Sequence, residues 1–171
     1  MNGKKRPTRR KHVPQLDPDL TRRLSRDDKS ILSFVYLSFS SNMVMKLADE
    51  QLRKSKLSVA RYTILRILED GEPVPLNYLS EKHFCEAGNI TKLVTRMAKD
   101  GLVERSIDDR DRRVTLVRLT EKGRTLCSSV SSGHRKFIQD LMSDFEPEEL
   151  ETLSNLLERL SQKATERKRT P

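Results

Sequence analysis

Between Leu76 and Leu119 the spacing of apolar residues changes character twice, and this limits the possible folds more than any other feature. Leu76 and Leu79, a break at Phe84 to Glu86, then Ile90, Leu93, Val94 and Met97 describe two short amphipathic helices joined by a few residues. That is the pattern of a helix-turn-helix. Gly101, following Lys99 and Asp100, suits the left-handed position that ends a helix. The chain then turns to strand chemistry at Leu102 to Arg105 and again at Val114 to Leu119, around a charged turn from Asp108 to Arg113. A β-hairpin directly after a helix-turn-helix makes a wing. A small strand around Val74 would complete its sheet.

The flanking segments read as helices. Ser25 with Asp27 and Asp28 looks like a capped start for a helix over roughly 28–53. Its apolar residues, among them Ile31, Phe34, Val35, Phe39, Val44 and Leu47, are too many for one narrow stripe. Packing on more than one side, and so a partner chain, is expected. Ser58 caps a second helix carrying Tyr62, Leu65 and Leu68, which ends at the Gly71 to Pro73 turn. Thr120 caps another, reaching about Phe145, and Pro147 with Glu148 and Glu149 opens a last one through Leu150, Leu153, Leu156, Leu157 and Leu160. Ser128 to Ser132 and Gly133 favour helix weakly, which marks either a flexible region or tight packing.

Charge is distributed unevenly. The chain has 34 Lys and Arg against 25 Asp and Glu, a net charge of +9. Lys4, Lys5, Arg6, Arg9, Arg10 and Lys11 supply six of those nine charges without an intervening acid. Residues 1–24 also hold Pro7, Pro14 and Pro18 and few apolar groups, so they read as a basic disordered arm. The stretch from Lys163 to Pro171 repeats the basic pattern weakly. Apolar runs of a handful of residues fall far below the ~20 that cross a bilayer, so no membrane span is expected. No apolar stretch follows the basic N-terminus, so no secretory signal is expected either. With Cys85 and Cys127 alone, a disulfide framework has no support and a reducing cytoplasm fits best.

The quoted residues carry a resemblance. Leu79-Ser80-Glu81-Lys82, Gly88-Asn89-Ile90-Thr91, Leu93-Val94, Arg96-Met97, Lys99-Asp100-Gly101-Leu102-Val103, Arg105, Asp111-Arg112-Arg113 and Leu119-Thr120-Glu121-Lys122-Gly123 stand in the order seen in the MarR family of winged helix-turn-helix transcription regulators. The chain resembles that family over about residues 28–165. The resemblance implies a mainly α fold with a small β-wing, in which N- and C-terminal helices of two subunits interlock. The domain reading is then 1–24 basic arm, 25–55 N-terminal dimerisation helix, 56–120 winged helix-turn-helix, 121–165 C-terminal dimerisation helices and 166–171 basic tail. One departure concerns the start of the recognition helix, where relatives often carry a small hydroxyl and a basic residue. This chain has Cys85-Glu86-Ala87, and an acid facing phosphates weakens binding there.

A helix from about Glu86 to Lys99 turns Gly88, Asn89, Thr91, Lys92, Thr95 and Arg96 away from its apolar stripe. Asn pairs bidentately with adenine, Lys reaches guanine or phosphate, and Thr offers a hydroxyl and a methyl. These six are the expected major-groove residues. In the wing, Arg110, Arg112 and Arg113 stand among Asp108, Asp109 and Asp111, a turn that could simply neutralise itself. The resemblance implies instead that Asp111 holds an arginine in place while Arg113, with Arg112 beside it, enters the minor groove. A narrow groove concentrates negative potential, and guanidinium tolerates desolvation there.

The resemblance also implies a small, often aromatic or phenolic effector held between dimerisation helices and winged domain. By helix placement, Tyr36, Phe39, Arg61, Tyr62, Arg66 and His134 are the candidate lining residues. No cofactor is expected. His12, His83 and His134 are scattered, and no zinc ligand series, nucleophile motif or phosphate-binding glycine loop is present in the sequence. An enzyme is therefore not expected. The expected function is a homodimeric, cytoplasmic, sequence-specific regulator, most often a repressor in such a family, acting on a pseudo-palindromic operator in double-stranded DNA. Two rivals remain: an architectural protein binding DNA through its basic arms, and a thiol-redox regulator using Cys85 near a helix N-terminus.

Overall fold

A computed structural model describes residues 17–19, 22–23, 28–83 and 87–169. The basic cluster from Lys4 to Lys11, the Ser25 cap, and Phe84, Cys85 and Glu86 lie outside the described residues, and with them the redox reading of Cys85. Within the expected disordered arm, Pro18, Asp19, Arg22 and Arg23 are helical. Asp19 pairs with the Arg22 guanidinium, three positions along, at 4.0 Å.

The described elements run α1 (Lys29–Arg53), α2 (Val59–Ile67), β1 (Val74–Pro75), α3 (Leu76–His83), α4 (Ala87–Lys99), β2 (Val103–Ile107), β3 (Thr115–Leu119), α5 (Glu121–Leu141) and α6 (Pro147–Arg169). The chain divides into two compact units, Met1–Leu47 and Ala48–Pro171, so the boundary falls inside α1. At the start of α1 the capping role belongs to Asp28, whose Oδ1 accepts the Ser30 amide hydrogen at 2.7 Å. Hydrogen bonds from Ser30 hold the Asp28 carboxyl below the usual carboxylate range.

In the first unit, α1 exposes Ile31, Phe34, Tyr36, Val44, Met45 and Leu47, with Phe34 66% exposed. By length and composition this helix is apolar enough to cross a membrane, contrary to the sequence expectation. The reason is that Ser30 to Met45 carries no charge, while five serines and Asn42 interrupt every apolar run. Some of these polar groups bond back onto the helix, Ser33 Oγ donating to the Lys29 carbonyl at 2.8 Å and Asn42 Nδ2 to that of Ser38 at 2.9 Å.

The second unit carries the core. Leu52, Ile64, Leu65, Leu68, Leu79, Ile90, Val94, Met97, Val117 and Cys127 are almost completely buried. The three strands form one antiparallel sheet in the order β1-β3-β2, with Val103 opposite Leu119, Ile107 opposite Thr115, and Val74 opposite Val117. Along β3 the pleat sends Val117 and Leu119 inward and Arg118 outward, where it meets Glu104 across the strand pair at 2.7 Å. The Cys127 thiol is pushed up by burial, with Glu69 adding to the shift.

Helix ends follow the chemistry of their capping residues. Ser58 Oγ accepts from the Arg61 amide, and Thr120 Oγ1 accepts from that of Gly123 at 3.0 Å. Helix α5 is continuous through Ser128 to Gly133 and stops at Leu141, four residues before the expected Phe145. Within this stretch the serine hydroxyls bond back onto the helix, Ser131 Oγ donating to the Cys127 carbonyl and Ser129 Oγ to that of Leu126, both at 2.8 Å. At the other end, α6 runs through Arg169, so residues 166–169 extend the last helix instead of forming a separate tail. The i, i+3 pair of Lys163 and Glu166 at 3.3 Å supports the added turn.

Candidate nucleic-acid interface

Helix α4 has the strongest segregation of apolar and polar faces among the described helices. Ile90, Val94 and Met97 are fully buried, while Gly88, Asn89, Thr91, Lys92 and Arg96 are exposed and Thr95 is half-buried. Its C-terminus is a Schellman turn: the Gly101 amide donates to the Ala98 carbonyl and the Leu102 amide to that of Met97, with Gly101 at φ +70°. The helix is thus fixed on one face and open on the other. Asn89, Lys92 and Arg96 have no side-chain partner among the described residues. Thr95 differs, because its hydroxyl donates to the Thr91 carbonyl at 2.8 Å and accepts from Arg105 Nη1 at 3.2 Å.

The wing is held by its aspartates, though not through the arginine side chains. Asp108 Oδ1 accepts the amide hydrogens of Arg110 at 2.7 Å and Asp111 at 3.3 Å, and Asp111 Oδ1 accepts that of Arg113 at 2.9 Å. Backbone bonds from Asp108 to the Val114 carbonyl and from Val114 to that of Asp111 close the turn. Asp111 therefore holds Arg113 by its main chain. The exposed side chains of Arg110, Arg112 and Arg113 form no ion pair among the described residues. The turn is not closed by ion pairs of its own among the described side chains.

Sequence reasoning did not single out Arg105, Tyr78 or Lys82 as interface residues. Arg105 lies on the outward face of β2 and reaches across to Thr95, and Lys82 Nζ stands 5.6 Å from the Tyr78 ring centroid on α3. The i, i+4 spacing of Tyr78 and Lys82 was a readable signal for their shared face. The Arg105 contact required the register of β2.

The expected effector residues separate by partner. Arg61 turns to Asp100, with Nη2 to Oδ2 at 2.6 Å, and Arg66 pairs with Glu69. Tyr62 and His134 come together, ring centroids 4.8 Å apart and edge to face, and Phe137 stacks with His134 at 6.0 Å. The Tyr62 hydroxyl donates to Ser131 Oγ at 3.3 Å, and His134 Nδ1 lies 2.9 Å from Gln51 Oε1. Burial lowers the His134 pKa below its ordinary value. In the first unit, Tyr36 is exposed and Phe39 half-buried on α1. Among the described residues no three His, Cys, Asp or Glu side chains gather to hold a metal ion.

A helix-turn-helix followed by a three-stranded wing, with cations on the open faces of both, defines a winged-helix DNA-binding protein. Residues 57–115 match the model of the MarR family. The chain is 27% identical over 133 residues to the HTH-type transcriptional regulator MhqR of Bacillus subtilis, covering 78% of this chain and 92% of that one. It is 29% identical over 127 residues to the HTH-type transcriptional repressor IacR of Pseudomonas putida, covering 74% and 73%. The solved structure of the transcriptional regulator BldR from Sulfolobus solfataricus superposes with a TM-score of 0.68 at 29% identity, covering 77% of this chain and 96% of that one. Over residues 57–115, and across most of its length to these relatives, the chain is similar to MarR-family DNA-binding transcription regulators.

Proposed function

We propose that this chain is a homodimeric, cytoplasmic, sequence-specific repressor that places Gly88, Asn89, Thr91, Lys92, Thr95 and Arg96 toward the major groove. Arg112 and Arg113 enter the adjacent minor groove, with Arg110 beside them and Asp111 fixing the Arg113 backbone. The observation that carries the reading is the occupancy of the wing carboxylates. Asp108 and Asp111 each bond main-chain amides through Oδ1, and Arg110, Arg112 and Arg113 make no ion pair among the described residues, which leaves their side chains available to phosphate and groove. A two-fold dimer reads a pseudo-palindrome with half-sites about one DNA turn apart.

The exposed apolar residues of α1 and α6 are the surface a second copy covers. Leu156, Leu157 and Leu160 on α6 are 38% to 54% exposed, and α6 makes few contacts with the remainder of its unit. Repression is supported by the name of the Pseudomonas putida relative. A small aromatic or phenolic effector relieves it, and the Tyr62 and His134 pair is the part of the chain best suited to stack against one.

Selection of bound duplexes from a randomised pool at fixed salt tests the reading. Enrichment of a two-fold-symmetric motif, bound ~10³-fold or more above random DNA, is the expected result. Tight binding without enrichment overturns it in favour of an architectural role for the basic arms.

A further inference from the structure

We infer that Arg61 and Asp100 are positioning residues for DNA recognition: their ion pair ties the exit of the recognition helix to α2 and so sets the angle at which α4 meets the groove. The inference rests on the proposed reading of α4. Asp100 is the last residue before the Gly101 turn, and α2 and the capped start of α5 converge on this one point. Arg61 Nη2 reaches its carboxylate from α2 at 2.6 Å, Lys122 Nζ donates to its carbonyl from α5 at 2.6 Å, and Thr120 Oγ1 donates to the Gly101 carbonyl at 2.7 Å. Neither Arg61 nor Asp100 belongs to the set that faces DNA.

The energetics of Arg61 argue against a role in stability alone. Its side chain is only 22% exposed, and Nε is buried with no hydrogen-bond partner among the described residues. A buried donor left unpaired is unfavourable, and an apolar side chain of similar volume would avoid that penalty. What an apolar side chain could not do is hold the Asp100 carboxylate at a fixed distance from α2. The base-reading side chains lie up to three turns away along α4, so a small rotation at Asp100 displaces Asn89 by much more. Base contacts are sensitive to such displacement, whereas phosphate attraction is not.

The test compares Asp100→Asn, Arg61→Gln and the charge exchange Arg61→Asp with Asp100→Arg in the full-length chain. Each is measured on the duplex enriched by the wild-type chain and on random duplex at the same salt, with thermal midpoints in parallel. The expected result is a selectivity ratio at least ten-fold lower in both single variants, with random-duplex affinity changed far less: slightly raised in Asp100→Asn, which removes a negative charge, and slightly lowered in Arg61→Gln, which removes a positive one. The exchange restores most of the ratio. Single variants that lower the midpoint or fail to fold, with the ratio of whatever folds unchanged, would assign the pair to stability and overturn the inference. A wild-type chain that enriches no duplex would instead sink the proposed function, which separates the two failures.

Discussion

Helices α4 and α6 are both amphipathic, yet one completes its burial within its own chain and the other does not. In α4 the apolar residues Ile90, Val94 and Met97 have no exposed surface, because α3, β2 and the body of the second unit cover them. In α6 the leucines at 156, 157 and 160 remain open. The same period of about 3.6 residues therefore marks two different things. In the winged domain it marks a core that a single chain closes. In α6, and in the apolar residues of α1 up to Leu47, it marks apolar surface left open within the chain, which the proposed dimer would cover.

This contrast can be broken by substitution. Leu65→Ala, at a fully buried site, should lower stability by about 2–5 kcal/mol at every protein concentration, as read by denaturant unfolding. Gly123→Ala comes next: an added Cβ would lie 2.0 Å from the Leu102 carbonyl oxygen, which is backbone and cannot rotate away. A cost of about 1–3 kcal/mol is expected, with the junction between wing and α5 as the first region to lose amide-exchange protection. Leu160→Glu should leave the unfolding of the winged domain nearly unchanged and shift sedimentation toward monomer. If the core variants turn out to depend on concentration and Leu160→Glu does not, the division between the two regions is wrong.

Smaller effects sharpen it. His134 has a lowered pKa through burial, so below its ordinary value near 6.5 the unfolded chain binds a proton that the folded chain resists. Stability contributed by the neutral ring is present above that pH and is lost as pH falls from there toward the lowered folded value. The thermal midpoint should therefore drop with acidification across this window, and His134→Gln should flatten the dependence. Arg113→Ala should weaken operator binding and reduce the slope of log affinity against log salt by about 1.

Much of the fold was legible in the sequence, for identifiable reasons. Period and turn chemistry placed α2, α4 and the hairpin, and Gly101 announced the Schellman turn because only a residue tolerant of positive φ ends a helix that way. Even the two-residue strand at Val74 followed from the sheet that the wing required. What the sequence did not reveal depended on distant partners. Arg61 resembled a pocket residue until Asp100, 39 positions away, proved to be its counter-ion. Gly123 is required by a carbonyl at Leu102, a contact with no local signature. The aspartates of the wing were visible as charges, but their choice of amide over guanidinium is a matter of turn geometry.

The central claim is that two copies of α4 and two wings read one symmetric site. Hydroxyl-radical footprinting of the chain on its selected duplex tests this most directly. The account expects two protected segments related by two-fold symmetry, with centres about one helical turn apart. Continuous protection without register, or a single segment lacking a symmetric mate, would contradict it.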